Sequence, residues 1–174
     1  EESFGMICAE DELGLGTSHD GIMVLDDQAN AGMKASEYFK IEKDTVFEIG
    51  ITPNRIDGAS HIGVARDLAA YLKQNETAAP LKWPAIDDFS IDNHYLNIDL
   101  EIKNNDACKR YSSITLTGLK VEESPVWLQN RLKAIGQTPI NNIVDITNYV
   151  LHEAGQPLHA FDAAKISGNK VIVQ

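Results

Sequence analysis

The sequence predicts a mixed α+β fold with short antiparallel strands and three main helices, in an incomplete multi-domain fragment. Three observations predict it. Apolar residues alternate at period two in short runs punctuated by glycine, longer runs place them at helical spacing, and a proline- and acid-rich stretch interrupts the chain between residues 75 and 93. At about 150 residues per domain, 174 residues make one domain or two small pieces.

The elements follow in order. Gly5 to Ala9 and Gly21 to Leu25 read as short strands around the turn-rich Leu13-Gly14-Leu15-Gly16, the tail of a small β-domain, since such runs close no sheet alone. Thr45 to Ile51 puts Phe47, Ile49 and Ile51 on one face and ends at Thr52-Pro53, where proline withdraws a ladder donor. Ser60 caps a helix reaching about Lys73, and Ile62, Ala65, Leu68, Ala69 and Leu72 form a stripe that predicts a core helix. Residues 75 to 93, with Pro80, Pro84, Asp87, Asp88 and Asp92, mark the main boundary.

Beyond it, Leu96, Ile98, Leu100 and Ile102 alternate with Asn97, Asp99 and Glu101 as in a half-buried strand. Tyr111 to Val121 predicts another, bent at Gly118. Ser124-Pro125 predicts a hydroxyl cap with proline at the first helical position, followed by Trp127, Leu128, Leu132 and Ile135 and a stop at Gly136. The next helix starts at Asn141 or Asn142, carries Ile143, Ile146, Val150 and Leu151, and stops at Gly155. Gly155-Gln156-Pro157 then turns the backbone and throws Leu158 to Asp162 across whatever lies beside that helix end. The closing Val171-Ile172-Val173 reads as a strand just starting, which, with the missing initial methionine, predicts a piece of a longer protein.

Composition narrows the function classes. Hydrophobic residues make up 43% and charged residues 24%, which excludes a disordered or low-complexity chain. Cys8 and Cys108 form no CxxC or CxH pair, so neither structural zinc nor a disulfide scaffold is expected. No apolar run approaches the roughly 20 residues of a membrane span and no signal peptide opens the chain, so a soluble, cytoplasmic protein is expected. The net charge is −11, and it is uneven: residues 1–60 hold 13 acids and 4 bases, residues 61–174 hold 13 and 11. Nucleic-acid affinity needs Lys and Arg near phosphates, so the first part should not grip RNA, while the weakly basic stretch 103–134 is permitted to touch it.

Thr147, Asn148 and His159 form the best polar constellation. Thr147 and Asn148 sit in a helix otherwise built for burial, where each group left unpaired costs about 1–3 kcal/mol. They need partners, and these residues alone allow a structural reading in which they fix the path of the loop 155–162. His152, His159 and Asp162 are separated by a helix stop and a proline turn, so no metal is assigned. No G-x-S-x-G elbow exists, and Ser112 and Ser113 fall in a predicted strand. Gly14, Gly16 and Gly21 lie in no strand-glycine-helix unit and no Gly-Lys-Ser/Thr follows them. Reaction type does not follow from these features.

Four blocks do carry a resemblance. Ile51-Thr52-Pro53-Asn54-Arg55 with Ser60 to Ala69, Val144-Asp145-Ile146-Thr147-Asn148-Tyr149-Val150, and Gly155-Gln156-Pro157-Leu158-His159-Ala160-Phe161-Asp162 closely resemble the bacterial phenylalanyl-tRNA synthetase beta subunit. Ser3 to Ala9 with Glu12-Leu13-Gly14 is similar to the end of that subunit's OB-like tRNA-binding domain.

The resemblance implies a map and a chemistry. Residues 1–45 would end the OB-like domain, 46–90 would be a connecting domain carrying the TPNR block, and 91–174 would be the first half of the B3/B4 editing domain. The family implies an (αβ)₂ heterotetramer with the alpha subunit, tRNA(Phe) as partner, and ATP and Mg²⁺ for the whole enzyme with no cofactor in this fragment. It implies that the editing domain hydrolyses tyrosine wrongly attached to tRNA(Phe). His159 would be the catalytic residue, positioning the attacking water or hydrogen-bonding the ester region, and Thr147 and Asn148 would orient the substrate's polar backbone end. The acidic residue that reads the tyrosine hydroxyl would come after Gln174, so the isolated fragment is expected to be inactive. The alternative is a non-catalytic scaffold that positions tRNA and docks the alpha subunit. Thr52 to Arg55 are expected to play a structural part at a strand-to-helix join.

Overall fold

A computed structural model describes residues 5–41, 43–75, 77 and 79–174. Ser3 and Phe4 of the opening block lie outside the described residues. The chain forms two compact units, Glu1–Thr45 and Val46–Gln174.

The first unit is mostly turns. A 3-10 turn at Asp11–Leu13 ends on Gly14 at φ 66°, and a one-turn helix α1 spans Ala35–Tyr38. The two expected strands do not form a ladder; one backbone bond, from the Met23 N–H to the Cys8 carbonyl at 3.0 Å, joins them. Period-two alternation permits a strand, but pairing needs a partner backbone in register.

The second unit holds the main elements. Helix α2 spans His61–Gln74, and its Ser60 cap accepts a hydrogen bond from the Gly63 N–H at 2.9 Å. The expected burial of its apolar stripe is not met: Leu68 is exposed, Ile62, Ala65, Ala69 and Leu72 are half-buried, and only Gly63 is buried. Glycine is required there, because a Cβ would stand 2.4 Å from the Asp57 carbonyl oxygen and 2.8 Å from the Gly58 backbone. The turn before the helix is stapled by Arg55, whose guanidinium donates to Asp57 at 2.9 and 3.0 Å and to Asp67 at 2.7 and 2.8 Å. Hydrogen bonding to Arg55 holds the Asp57 carboxyl below its ordinary value and raises the guanidinium further above its own.

Strand β1 is Asp99–Ile102 and β2 is Lys170–Val173. They pair in parallel, Asp99 opposite Lys170 and Ile102 opposite Val173. This corrects the antiparallel expectation. Helices α3 (Val126–Ala134) and α4 (Asn142–Ala154) lie between the strands in sequence, and a crossover through helices returns the chain in the same direction. The expected strands at Thr45 to Ile51 and Tyr111 to Val121 find no ladder among the described residues, and Phe47, Ile49, Ile114, Leu116, Leu119 and Val121 are exposed. The mixed α+β class and the three main helices stand.

Helix α3 also differs in its start. Pro125 occupies the cap position, extended at ψ 147°, and Ser124 does not cap the helix. Its hydroxyl instead donates to the buried Asp145 carboxylate at 2.5 Å. Leu128 and Leu132, each 1% exposed, face the interior of the α3–α4 pair, whereas Trp127 is 55% exposed.

Candidate functional site

Helix α4 is held at both ends by local chemistry. Asn141 accepts from the Ile143 and Val144 N–H groups at 3.1 and 3.0 Å, and Gly155 closes the helix in the left-handed region at φ 76° with its N–H on the Leu151 carbonyl at 2.8 Å. Asp145, 0% exposed, ties its first turn to its neighbours: one carboxylate oxygen takes the Ser124 hydroxyl and the other takes the Ile140 N–H at 2.9 Å. Both carboxylate oxygens therefore have donors. Asp145 was not singled out from sequence, although an acid amid Ile143, Val144 and Ile146 is a usable signal.

The expected site residues lie along the second half of α4 and the segment after it. The Thr147 hydroxyl donates to the Val144 carbonyl of its own helix at 2.7 Å and retains its oxygen lone pairs. Asn148, half-buried, makes no side-chain hydrogen bond among the described residues. Past Gly155-Gln156-Pro157, His159 is exposed, and its ring lies 6.2 Å from that of Phe161, inclined at 32°. Thr147 and Asn148 are adjacent on one helix; no hydrogen bond among the described residues joins either to His159. Asp162 accepts from the Ala164 N–H at 3.0 Å, and among the described residues no three His, Cys, Asp or Glu side chains converge as metal ligands.

A cleft of about 200 Å³ opens between α2, α3 and α4, lined by His61, Arg131, Ile135, Tyr149, His152 and Glu153 with Leu132. The Tyr149 hydroxyl donates to Glu153 at 3.1 Å, and Trp127 meets the Tyr149 ring edge-on at 5.7 Å. Burial first, and then the Glu153 charge, pushes the phenol above its ordinary value. His61, at the start of α2, places Nδ1 2.9 Å from the His152 carbonyl. A second cleft, of about 270 Å³, adjoins the TPNR block between Ile51, Thr52, Arg55 and Val64. Arg55 is bound on both sides by carboxylates there.

Over 173 residues, 99% of this chain, the sequence is 57% identical to the phenylalanine–tRNA ligase beta subunit of Bacteroides fragilis. The chain belongs to the phenylalanine–tRNA ligase beta subunit family. The corresponding subunit of Bacteroides thetaiotaomicron is 56% identical over 173 residues, and that of Fusobacterium nucleatum 44% over 172 residues, 98% of this chain. The chain spans about a fifth, 21%, of the length of each of these relatives. A family model described as the B3/4 domain matches residues 107–174. That match takes in α3, α4, β2, Thr147, Asn148 and His159; Arg55, Ser60 and α2 precede it. No helix among the described residues is long and apolar enough to cross a membrane.

Proposed function

We propose that this chain is part of a phenylalanine–tRNA ligase beta subunit and contributes to hydrolysis of tyrosine wrongly attached to tRNA(Phe). The single observation that carries the reading is the 57% identity across 99% of the chain, taken with a B3/4 match that includes His159. In this reading residues 1–45 close an OB-like domain, 46–90 connect, and 91–174 begin the editing domain. The whole enzyme is the cytoplasmic heterotetramer with the alpha subunit that charges tRNA(Phe) using ATP and Mg²⁺. Among the described residues no three His, Cys, Asp or Glu side chains converge, and no residue of this chain is assigned to either group.

The physical need for a second site is clear. A mostly apolar pocket rejects a side chain that merely adds a hydroxyl by only about 10²-fold, whereas a site with polar groups for that hydroxyl selects it strongly. His159 is exposed, so an ester can reach its imidazole, and a neutral ring offers one nitrogen as donor and one as acceptor. The acceptor takes a proton from water as the oxygen attacks the ester carbon, and the imidazolium gives that proton to the tRNA ribose oxygen as its bond to the acyl carbon breaks, leaving free tyrosine and uncharged tRNA. The Thr147 lone pairs and the Asn148 amide orient the aminoacyl end.

The test is tyrosyl-tRNA(Phe) deacylation by the intact heterotetramer carrying His159→Ala. Deacylation should fall about 10²-fold or more, with phenylalanylation kept. Unchanged deacylation overturns the hydrolytic reading and selects the scaffold.

A further inference from the structure

We propose that His61, outside the B3/4 match, is a positioning residue for the turn that carries His159. The inference rests on the editing reading above. The last four carbonyls of an α-helix have no partner within the helix, and the His152 carbonyl of α4 is one of them. A carbonyl oxygen only accepts, so the His61 Nδ1 carries the proton and closes this orphan group at 2.9 Å. The two residues are 91 positions apart, so this bond docks the start of α2 onto the end of α4.

A second contact acts at the same place. A Cβ added at Gly155 would lie 3.3 Å from the Ser60 Cβ and 3.7 Å from the Ala59 carbonyl oxygen, so the capping residue of α2 packs against the bare backbone where α4 stops. Gly155 begins the turn that leads to His159. Among the described residues, the only side-chain hydrogen bond from 155 to 159 runs from Gln156 Nε2 to the Pro157 carbonyl, at 3.3 Å. With so few bonds of its own, this segment takes its direction from the last turn of α4. His61 and Ser60 hold that turn still.

Removing the imidazole returns the His152 carbonyl to water and lets the end of α4 fray. His159 then samples orientations in which it misses the ester, an effect on the rate of the chemical step more than on substrate binding. Asparagine restores an N–H donor close to the position of Nδ1.

The experiment compares His61→Ala, His61→Asn and His159→Ala in the intact heterotetramer, measuring kcat and KM for tyrosyl-tRNA(Phe) deacylation beside phenylalanylation. The expected result is a roughly tenfold or larger loss of deacylation kcat in His61→Ala, with KM and phenylalanylation unchanged and kcat recovered in His61→Asn. Wild-type deacylation in His61→Ala, with His159→Ala impaired, overturns the positioning role alone. Loss of KM and phenylalanylation together with kcat, or no recovery with asparagine, shows a general structural role and also overturns it. Unimpaired His159→Ala overturns the editing reading itself.

Discussion

Asp145 and Ser124 show how one side chain decides a helix junction. A proline preceded by serine has the pattern of a capped helix start, yet Ser124 is buried and its hydroxyl serves the Asp145 carboxylate, 21 positions away. That carboxylate also holds the Ile140 N–H, so it fixes the entry to α3, the α3–α4 connection and the first turn of α4 together. Asp145→Ala leaves the buried Ser124 hydroxyl without its acceptor, at about 1–3 kcal/mol, and gives up the bond to the Ile140 N–H, at about 0.5–1.5 kcal/mol, so a loss of about 2–4 kcal/mol is expected from urea unfolding. Asp145→Asn should cost clearly less. Its carbonyl can still accept from Ile140, and the Ser124 hydroxyl can rotate to accept from the new amide. Equal losses in the two variants would contradict this account.

At the level of elements, the β1–β2 ladder carries its own pH dependence. Lys170 bonds Glu101 across the pair at 2.5 Å, holding the Glu101 carboxyl below its ordinary value and the Lys170 ammonium above its own. A depressed carboxyl stabilises the folded form above its unfolded value, and that contribution disappears as pH falls through the folded one. The raised lysine has the opposite sign: its contribution is complete below its unfolded value and disappears as pH rises through the folded one. Amide protection in β1 and β2, taken relative to the intrinsic exchange rate at each pH, should therefore be greatest near neutrality and should fall at both extremes. Glu101→Gln should flatten the acid limb. An unaltered acid limb in that variant would show that the ion pair has no part in it.

Across the whole molecule, charge and exposure govern behaviour. The net charge of −11 opposes counterion release, the main source of RNA affinity. The isolated chain should show no saturable binding to tRNA by fluorescence anisotropy between about 50 and 200 mM salt. A steep salt-dependent affinity would place functional phosphate contacts on the weakly basic stretch 103–134. Apolar content read from sequence also overstated burial. Among the described residues the buried apolar side chains are Ala9, Leu128 and Leu132, while Phe47, Trp83, Leu116 and Phe161 are exposed. Alternation shows which side chains share a face, but a face becomes core only when another element covers it.

The order of the amino acids was sufficient for features that close within a few residues. Ser60 reaches Gly63, Asn141 reaches Val144, and Gly155 adopts a positive φ; helices α2 and α4 consequently begin and end within a residue or so of where their caps predict. The motif blocks likewise identified the family. Folding alone chose the parallel pairing of β1 with β2, the acceptor of the Ser124 hydroxyl and the His61 bond to the His152 carbonyl. These join backbone and side chains 21 to 91 positions apart. A cap has its partner built into the local helical geometry, whereas a distant donor meets its acceptor only after the intervening elements have packed.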